Sequence, residues 1–302
     1  MEQEKMRRML FRAVLCMACV LFLCVSSAEG HLSPEPSMPE GTMVRTYESP
    51  SLDFTVERFS YAGTRIYATR IWMQDPARQI EKGTSNWRKN LMFPSDQAKK
   101  LPKKAMVAIN GSGFISKAYP QIPDDYPGRS ADYFNTTYGA LAVMDGEVLR
   151  NLEGVLFYGV TLEADSLKLY AGASTEEVLA NHPIHTWSFY DASVLVLENE
   201  NRTDRDWLFS NEKEARTALC RMEDGTLLIL TVTKKTSKGM TLVELADFII
   251  DAFHPLWAFN LDGGPSSTLL VRPNPTGTLK TVYGNTVKTA DIMGFCELSE
   301  GD

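Results

Sequence analysis

The residues best suited to chemistry lie in one stretch, Trp257–Val271. An apolar run ends at Asn260 and Asp262, a turn of two glycines, a proline and two serines follows, and a second apolar run begins. This pattern predicts a buried strand, a tight turn and a returning strand. Gly263 and Gly264 can adopt positive φ and let a ligand approach the backbone. Asp262 is therefore a candidate catalytic carboxylate, although a glycine-flanked aspartate can equally cap a turn.

Two other stretches place polar residues at the ends of predicted strands. Asn110 and Gly111 follow the apolar run 105–109, and Arg216 opens a strand after a charged loop. An arginine can bind a phosphate through two parallel hydrogen bonds, or simply lie at the surface of a strand end. Asn110 can donate to a sugar hydroxyl or a phosphate, or close an Asx turn.

The segment Leu242–Phe253 repeats apolar residues at helical spacing, which predicts an amphipathic helix that ends at His254-Pro255. Thr241-Leu-Val-Glu244 matches a capping box at the start of this helix. Glu244 is thus either a helix cap or a catalytic or sugar-binding carboxylate. The two roles are compatible, because a helix start also offers N–H groups to a phosphate.

Four motifs in these stretches together resemble the phosphodiester glycosidase family. They are Ala108-Ile-Asn-Gly111, Arg216-Thr-Ala218, Gly239-Met-Thr-Leu-Val-Glu-Leu-Ala246 and Asn260-Leu-Asp-Gly-Gly-Pro-Ser-Ser-Thr268. The resemblance covers roughly residues 52–297, and its most specific part is 216–268. It implies hydrolysis of the glycosidic bond of a sugar-1-phosphodiester, which releases the sugar and leaves a phosphomonoester.

Such a reaction needs cations or N–H groups for the leaving phosphate and a carboxylate for the oxocarbenium-like sugar. The resemblance makes Asp262 the nucleophile or general base, with Glu244 as the second catalytic carboxylate. The residues predicted to bind substrate or phosphate are Arg216, Asn110, Gly111, Asn260, Gly263, Gly264, Ser266, Ser267 and Thr241.

Two positions depart from the family's usual motifs. Pro265 stands where a third glycine is usual after Asp-Gly-Gly, and proline removes one backbone donor. The family's Asn-Gly-Gly-Phe-Phe appears as Asn110-Gly-Ser-Gly-Phe114. The alternative from another functional class is a secreted glycan-binding or envelope or exopolysaccharide-assembly protein that keeps the pocket without turnover.

The fold class expected for the chain is α+β, with largely antiparallel twisted sheets and a few packed helices in a single catalytic domain over 51–302. Hairpins are predicted at Asp145-Gly146 and at Asp224-Gly225. A helix, an apolar strand and a glycine-containing turn occur at both 95–114 and 241–264. This repeated order of elements indicates either two similar αβ halves whose turns meet or a chance similarity of common elements.

The N-terminus carries a targeting pattern. Basic residues precede an apolar run at 13–25 and a small-residue site that ends at Ala28, which predicts a signal peptide over 1–28 or an uncleaved membrane anchor. Residues 29–50 are proline-rich and predict a flexible linker. The protein is therefore expected to be secreted, periplasmic or at the cell surface, with the membrane reached only through an uncleaved N-terminus.

The net charge and the residue types limit the classes of partner that the protein can bind. The formal net charge of −7 argues against nucleic-acid binding, so the expected partner is a carbohydrate phosphodiester. No cofactor and no metal site are predicted, a divalent cation is left open, and the sequence does not determine the oligomeric state. Cys220 and Cys296 form either one disulfide or two buried thiols. The tyrosine-rich segment 116–138 is either a substrate lid or an ordinarily packed loop.

Overall fold

The computed structural model describes residues 41–87, 89–115, 136–137, 139–189, 193–203 and 210–298. The fold belongs to the compact unit Pro39–Asp302. The predicted signal peptide over 1–28, the first part of the predicted linker and nearly all of the segment 116–138 lie outside the described residues.

Strands make up most of the regular structure. They are β1 Thr42–Tyr47, β2 Leu52–Tyr61, β3 Thr64–Met73, β4 Ile80–Thr84, β5 Ala105–Asn110, β6 Phe114–Ile115, β7 Thr136–Thr137, β8 Leu141–Met144, β9 Glu147–Asn151, β10 Phe157–Leu162, β11 Leu167–Ala173, β12 His185–Ser188, β13 Val194–Leu197, β14 Glu200–Asn201, β15 Arg216–Arg221, β16 Leu227–Val232, β17 Trp257–Asn260, β18 Leu269–Val271, β19 Lys280–Tyr283 and β20 Asp291–Cys296. The helices are α1 Pro76–Gln79, α2 Pro94–Ala98, α3 Thr175–Ala180 and α4 Leu242–Phe253, and a 3₁₀ turn spans Gly264–Ser266.

Two larger sheets organise these strands. The first has the order β1-β2-β3-β16-β15-β17-β13-β14, and the second has the order β19-β18-β5-β20-β4. A three-stranded sheet, β11-β10-β12, and the two pairs β6-β7 and β8-β9 complete the arrangement. Every strand pairing among the described residues is antiparallel. The predicted α+β class with largely antiparallel sheets is confirmed.

The main core lies between the two larger sheets. Phe259 and Ile229 of the first sheet share one apolar cluster with Ile109 and Phe295 of the second. Helix α4 covers the other face of the first sheet, where Leu245 and other apolar residues of its inner face join a second cluster. Burying these side chains stabilises the fold by roughly 1.5–3 kcal/mol each relative to full exposure.

Successive side chains of β17 point to opposite faces of the sheet, so this one strand contributes residues to both clusters. Trp257 and Phe259 belong to the cluster between the sheets, whereas Ala258 belongs to the cluster under α4. Successive side chains of a strand point to opposite faces, so the short apolar run packs on both sides. The strand is thereby fixed, and the turn that follows Asn260 begins from a rigid position.

The two helix–strand units predicted from the sequence occupy comparable places. Helix α2 packs on β5 and β20, and helix α4 packs on β13 and β17. Strands β5 and β17 are each flanked by a strand on both sides. The turns that follow them meet, as described below.

Two details differ from the sequence-based expectations or settle their alternatives. Strand β1, Thr42–Tyr47, pairs with β2, so the folded region begins inside the segment 29–50 that was expected to be a linker. This edge strand is mostly exposed, which is why its sequence shows no apolar alternation. Cys220 and Cys296 are both buried free thiols, and burial raises the pKa of each. Among the described residues, no helix has the length and apolar character needed to span a membrane.

Candidate active site

The two glycine-containing turns meet through Asn110. The Asp262 N–H donates to the Gly111 carbonyl at 3.0 Å, and the Asn110 side-chain amide donates to the Asp262 carbonyl at 2.6 Å. The Asn110 oxygen accepts from the Thr217 hydroxyl at 2.8 Å and from the Thr268 N–H at 2.9 Å. Asn110 is fully buried, so its side chain joins three segments of chain. The structure thus brings this predicted site residue into direct contact with Asp262.

The Asp262 carboxylate is the least satisfied acidic group near this junction. Its Oδ1 accepts from the Gly263 N–H at 2.9 Å, whereas Oδ2 is buried and has no hydrogen-bond partner among the described residues. Burial raises the pKa of Asp262 to about 7, and the charge of Asp291 acts in the same direction. The Ser266 hydroxyl, the Gly263 N–H and the charge of Arg216 oppose this rise. A carboxyl group with such a pKa exchanges protons near neutral pH.

Arg216 lies beside the same turn and is only 5% exposed. Its Nε donates to the Met240 carbonyl at 3.2 Å, and its Nη2 donates to the Glu212 carbonyl at 2.7 Å. Burial lowers the pKa of Arg216 to about 10, against the opposing charges of Glu214, Glu212 and Asp262. The guanidinium is therefore still a cation at neutral pH and is held in one orientation.

The Asp-Gly-Gly turn packs against the start of β15. A Cβ added at Gly263 would lie 3.1 Å from the Ala215 carbonyl and 3.8 Å from Nη1 of Arg216. Gly264 has a φ of +58°, which glycine adopts without the cost that other residues incur. Glycine at both positions thus lets the turn approach the arginine closely.

The backbone amides of this turn all have acceptors inside the protein. The N–H groups of Gly263 and Gly264 donate to the Asp262 carboxylate and to the Ala215 carbonyl. Those of Ser266 and Ser267 donate to carbonyls one turn earlier. A phosphate contact from these amides, as the resemblance implies, stays a prediction, and side chains are better placed to supply the cationic contact.

Glu244 forms the predicted capping box. Its N–H donates to the Thr241 hydroxyl at 3.0 Å, and its Oε2 accepts from the Thr241 N–H at 3.0 Å. Its Oε1 pairs with the Lys213 ammonium at 2.7 Å. Burial alone would raise the pKa of Glu244, but the hydrogen bond and charge of Lys213 and the amide of Thr241 lower it. The helix-cap interpretation is confirmed, and the catalytic role stays a prediction.

The remaining predicted site residues differ in exposure. Asn260 is fully buried, and its amide donates to the neighbouring Leu261 carbonyl at 2.7 Å. Ser267 is 1% exposed, and its hydroxyl has no partner among the described residues. Pro265 is exposed and lies in the first turn of the 3₁₀ segment, where a missing N–H leaves no intrahelical bond unmade. The proline is therefore accommodated without disturbing Asp262.

A pocket of about 470 Å³ opens beside the same turn. Its wall includes Glu214, Lys234, Lys235, Gly264, Pro265, Ser267 and Tyr283. Lys234 is paired with Glu214, so Lys235 adds one further positive charge to the wall. The volume matches that of small-molecule sites, and the excess cation suits an anionic group.

Sequence reasoning missed a buried ion pair next to Asn110-Gly111. The Lys82 ammonium lies 2.9 Å from Oδ2 of Asp291. No local motif marks either residue, because their contact depends on the pairing of two strands that are distant in sequence. Among the described residues, no group of three His, Cys, Asp or Glu side chains is arranged to hold a metal ion.

Comparisons with known proteins identify relatives of this fold. The family model for phosphodiester glycosidases matches residues 103–295. The catalytic domain of zebrafish N-acetylglucosamine-1-phosphodiester alpha-N-acetylglucosaminidase, solved in a form auto-inhibited by its pro-peptide, is similar in structure, with a TM-score of 0.60 and 19% identity over 86% of this chain and 88% of that one. A hypothetical protein from Synechocystis is similar with a TM-score of 0.53 and 13% identity over 85% of this chain and 64% of that one.

A curated relative extends the comparison at the level of sequence. The SPbeta prophage-derived uncharacterized protein YomE of Bacillus subtilis (strain 168) is 26% identical over 178 residues, which is 56% of this chain. The matched part is 24% of that protein, so the chain spans about a quarter of the length of this relative. The structural similarities show the fold alone, whereas the family model covers more than half of the sequence. This chain belongs to the phosphodiester glycosidase family.

Proposed function

We propose that this protein hydrolyses the glycosidic bond of a sugar-1-phosphodiester, releasing the sugar and leaving a phosphomonoester. The observation that supports the proposal is the Asp262 carboxylate, whose Oδ2 is buried and has no hydrogen-bond partner among the described residues, and whose pKa is raised by burial to about 7. Buried unsatisfied carboxylates are unusual in native structures and concentrate at functional sites. Membership of the family supports the choice of reaction.

In the proposed reaction, Asp262 is the general base. It takes a proton from a water molecule while the water oxygen bonds to C1 of the sugar. The bond between C1 and the phosphate oxygen breaks, and its electron pair leaves with the phosphate. A pKa near the working pH makes a carboxylate an effective base, since it is ionised often enough and still binds a proton.

Arg216 has the electrostatic role in this proposal. Its buried guanidinium lies next to Gly263 and is fixed by two backbone carbonyls. A preorganised cation in a buried site stabilises the charge that develops on a leaving group. The group that leaves from C1 is a phosphomonoester, which is a good leaving group, so the reaction has little need for a general acid. Glu244 is then not needed as a general acid, and both of its carboxylate oxygens are already engaged, one by the Thr241 N–H and one by the Lys213 ammonium.

The pocket beside the turn would then hold the part of the substrate beyond the phosphate. Gly264 and Ser267 connect its wall to the turn that carries Asp262. Its net positive charge supports an acceptor group that is itself anionic or strongly polar.

We also propose that the protein acts outside the cytoplasm. The basic and apolar N-terminal pattern supports export, and cleavage is expected after Ala28. Cell fractionation followed by N-terminal sequencing tests this: a start at Glu29 in the exported fraction supports export with cleavage, an intact N-terminus there supports the uncleaved anchor, and recovery from the cytoplasm alone contradicts export.

The activity test uses a panel of sugar-1-phosphodiesters and measures released sugar. We expect release by the wild-type protein and a loss of at least about 10³-fold in Asp262→Asn, because the base is removed without a change of shape. Asp251→Asn is the matched control, since Asp251 is an exposed carboxylate on α4. No release across the panel, together with retained glycan binding, would support the binding-protein alternative.

A further inference from the structure

The buried pair Lys82–Asp291 takes no part in the proposed reaction. The two side chains are 1% and 0% exposed. Replacing such a pair by apolar residues of similar volume is often neutral or stabilising, whereas removing one partner is strongly destabilising. The contacts of the two side chains indicate a further role for the pair.

Asp291 holds the turn that supports Asp262. Its Oδ1 accepts from the Ser112 N–H at 2.7 Å, and its Oδ2 accepts from the Ser112 hydroxyl at 2.9 Å. Its backbone carbonyl accepts from the Gly111 N–H at 3.2 Å, and the Gly111 carbonyl accepts from the Asp262 N–H at 3.0 Å. Gly111 alone therefore separates the backbone of Asp291 from the backbone of the proposed base, and the Asp291 carboxylate holds Ser112, the residue that follows Gly111.

Lys82 connects Asp291 to the three-stranded sheet. Its ammonium donates to the Thr186 carbonyl and lies 5.3 Å from the centre of the Trp187 ring. Ser112 completes the link, because its hydroxyl oxygen accepts from the Ser188 N–H at 3.1 Å. The turn is thus held on one side by the strand that carries Asp291 and on the other by β12.

The space around the turn permits few other positions. A Cβ added at Gly111 would lie 2.4 Å from Oδ1 of Asp291 and 2.9 Å from the Trp187 ring. Contacts this short do not occur in real structures, so the turn already lies against both side chains. The Asp291 carboxylate therefore packs directly against Gly111, whose carbonyl receives the Asp262 N–H.

We propose that Lys82 and Asp291 are a positioning pair that fixes the Gly111-Ser112 turn and thereby sets the orientation and charge environment of Asp262. The inference rests on the proposed function, in which Asp262 is the base. The Lys82 ammonium, 2.9 Å from Oδ2, holds the Asp291 carboxylate directed at Ser112. Neither residue touches the reacting atoms.

The charges around Asp262 agree with this role. Asp291 raises the pKa of Asp262, and Arg216 lowers it. His185, which lies near the pair, has its pKa lowered to about 3 by burial and by the charge of Lys82, and is neutral at working pH. Among the described groups, Asp291 is therefore the negative charge that acts on Asp262, and Lys82 is its counter-ion.

The test compares Asp291→Asn with Glu163→Gln. Glu163 is the matched control, since it is also a buried carboxylate, 3% exposed, that pairs with Lys168 at 2.7 Å and accepts from Tyr170 at 2.8 Å. Two readouts are taken on the full chain: the titration of the Asp262 carboxyl by ¹³C NMR, and kcat and KM for sugar release as a function of pH.

We expect Asp291→Asn to lower the pKa of Asp262 by about half a unit or more, because a negative neighbour is lost. We expect kcat to fall at least about tenfold while KM changes less than about threefold, as for a group that acts only through orientation. Glu163→Gln should leave the pKa of Asp262, kcat and KM unchanged. An unchanged Asp262 titration, or equal losses in Glu163→Gln, would overturn the proposal.

A second variant covers the case in which Asp291→Asn does not fold. Lys82→Met combined with Asp291→Leu removes both charges and fills the space with apolar atoms. We expect this variant to fold with a reduced kcat, and full retention of kcat would overturn the positioning role. If the wild-type protein releases no sugar, the proposed function fails, while the NMR titration still decides whether Asp291 sets the pKa of Asp262.

Discussion

Replacing Asn110 by alanine tests whether this residue is a structural junction or a substrate contact. The substitution removes one hydrogen bond to the Asp262 carbonyl and two from the Thr217 hydroxyl and the Thr268 N–H. All three partners are then left inside the protein without their acceptor or donor. The resemblance to the family implies a binding role for Asn110, whereas the contacts imply that it holds the two turns together.

The expected loss of stability follows from these three bonds. A buried polar group left unsatisfied costs about 1–3 kcal/mol. Some relaxation and entry of water lower the sum, so Asn110→Ala is expected to reduce the free energy of unfolding by about 3–5 kcal/mol.

Asn260 supplies the matched control, because it is equally buried and ends the equivalent strand. Its amide makes one short bond to the next residue's carbonyl, and its Oδ1 has no partner among the described residues. Asn260→Ala is therefore expected to cost only about 0.5–1.5 kcal/mol. Urea unfolding of both variants with equal m-values measures the difference. Equal losses, or a loss below about 1 kcal/mol for Asn110→Ala, would refute the junction role.

Five further predictions concern the site itself. Since the pKa of Asp262 is raised to about 7, kcat should rise with pH through about 7 and level off above it, and a flat profile from pH 5 to 8 would contradict the general-base role. Because the protonated carboxyl is favoured in the folded state, the stability contributed by this group should decrease from about pH 4 to about pH 7, and urea unfolding of Asp262→Asn should lose this pH dependence. Arg216→Lys should lower kcat/KM for phosphodiesters at least about tenfold, since lysine does not reproduce the fixed guanidinium, and an aryl glycoside without phosphate serves as the comparison. Glu244→Gln should keep the helix cap and reduce kcat less than about fivefold, whereas a loss near 10³-fold would make Glu244 catalytic. Pro265→Gly should leave kcat within about threefold, because the proline is exposed and its missing N–H leaves no bond of the 3₁₀ turn unmade.

The sequence predicted those elements that are determined by neighbouring residues, such as hairpin turns and capped amphipathic helices. The hairpin at Asp145-Gly146 forms because both residues adopt positive φ, 52° and 74°, as the tight two-residue turn requires. Helix α4 forms where the apolar spacing and the capping box coincide. The Asp-Gly-Gly turn follows directly from a buried strand that ends in polar residues.

Features that depend on distant strand pairing had no local signal. Lys82 and Asp291 become neighbours because β4 pairs with β20. The ion pair of Lys213 with Glu244 likewise depends on how a charged loop returns to the helix start. From the sequence alone, a lysine in a short strand is predicted to lie at the surface, because lysine is rarely buried without a partner and its cross-strand neighbour is not yet known.

The junction of the two turns was predicted only in part. The sequence indicated two similar helix–strand units and suggested that their turns meet, but it did not give the contacts. The structure shows that Asn110 makes the contact with its side chain and that the amides of the Asp-Gly-Gly turn are satisfied inside the protein. Of the two predicted phosphate contacts, this favours Arg216 over the backbone amides of the turn, and both stay predictions.

The most direct test of the proposed function is the position of bond cleavage. Hydrolysis of a sugar-1-phosphodiester in ¹⁸O-labelled water, followed by mass spectrometry of the phosphomonoester, distinguishes the two possible bonds. The phosphomonoester is measured because the anomeric oxygen of the free sugar exchanges with water. Attack at C1 predicts a phosphomonoester without ¹⁸O, and one labelled oxygen in the phosphomonoester would contradict the glycosidase mechanism.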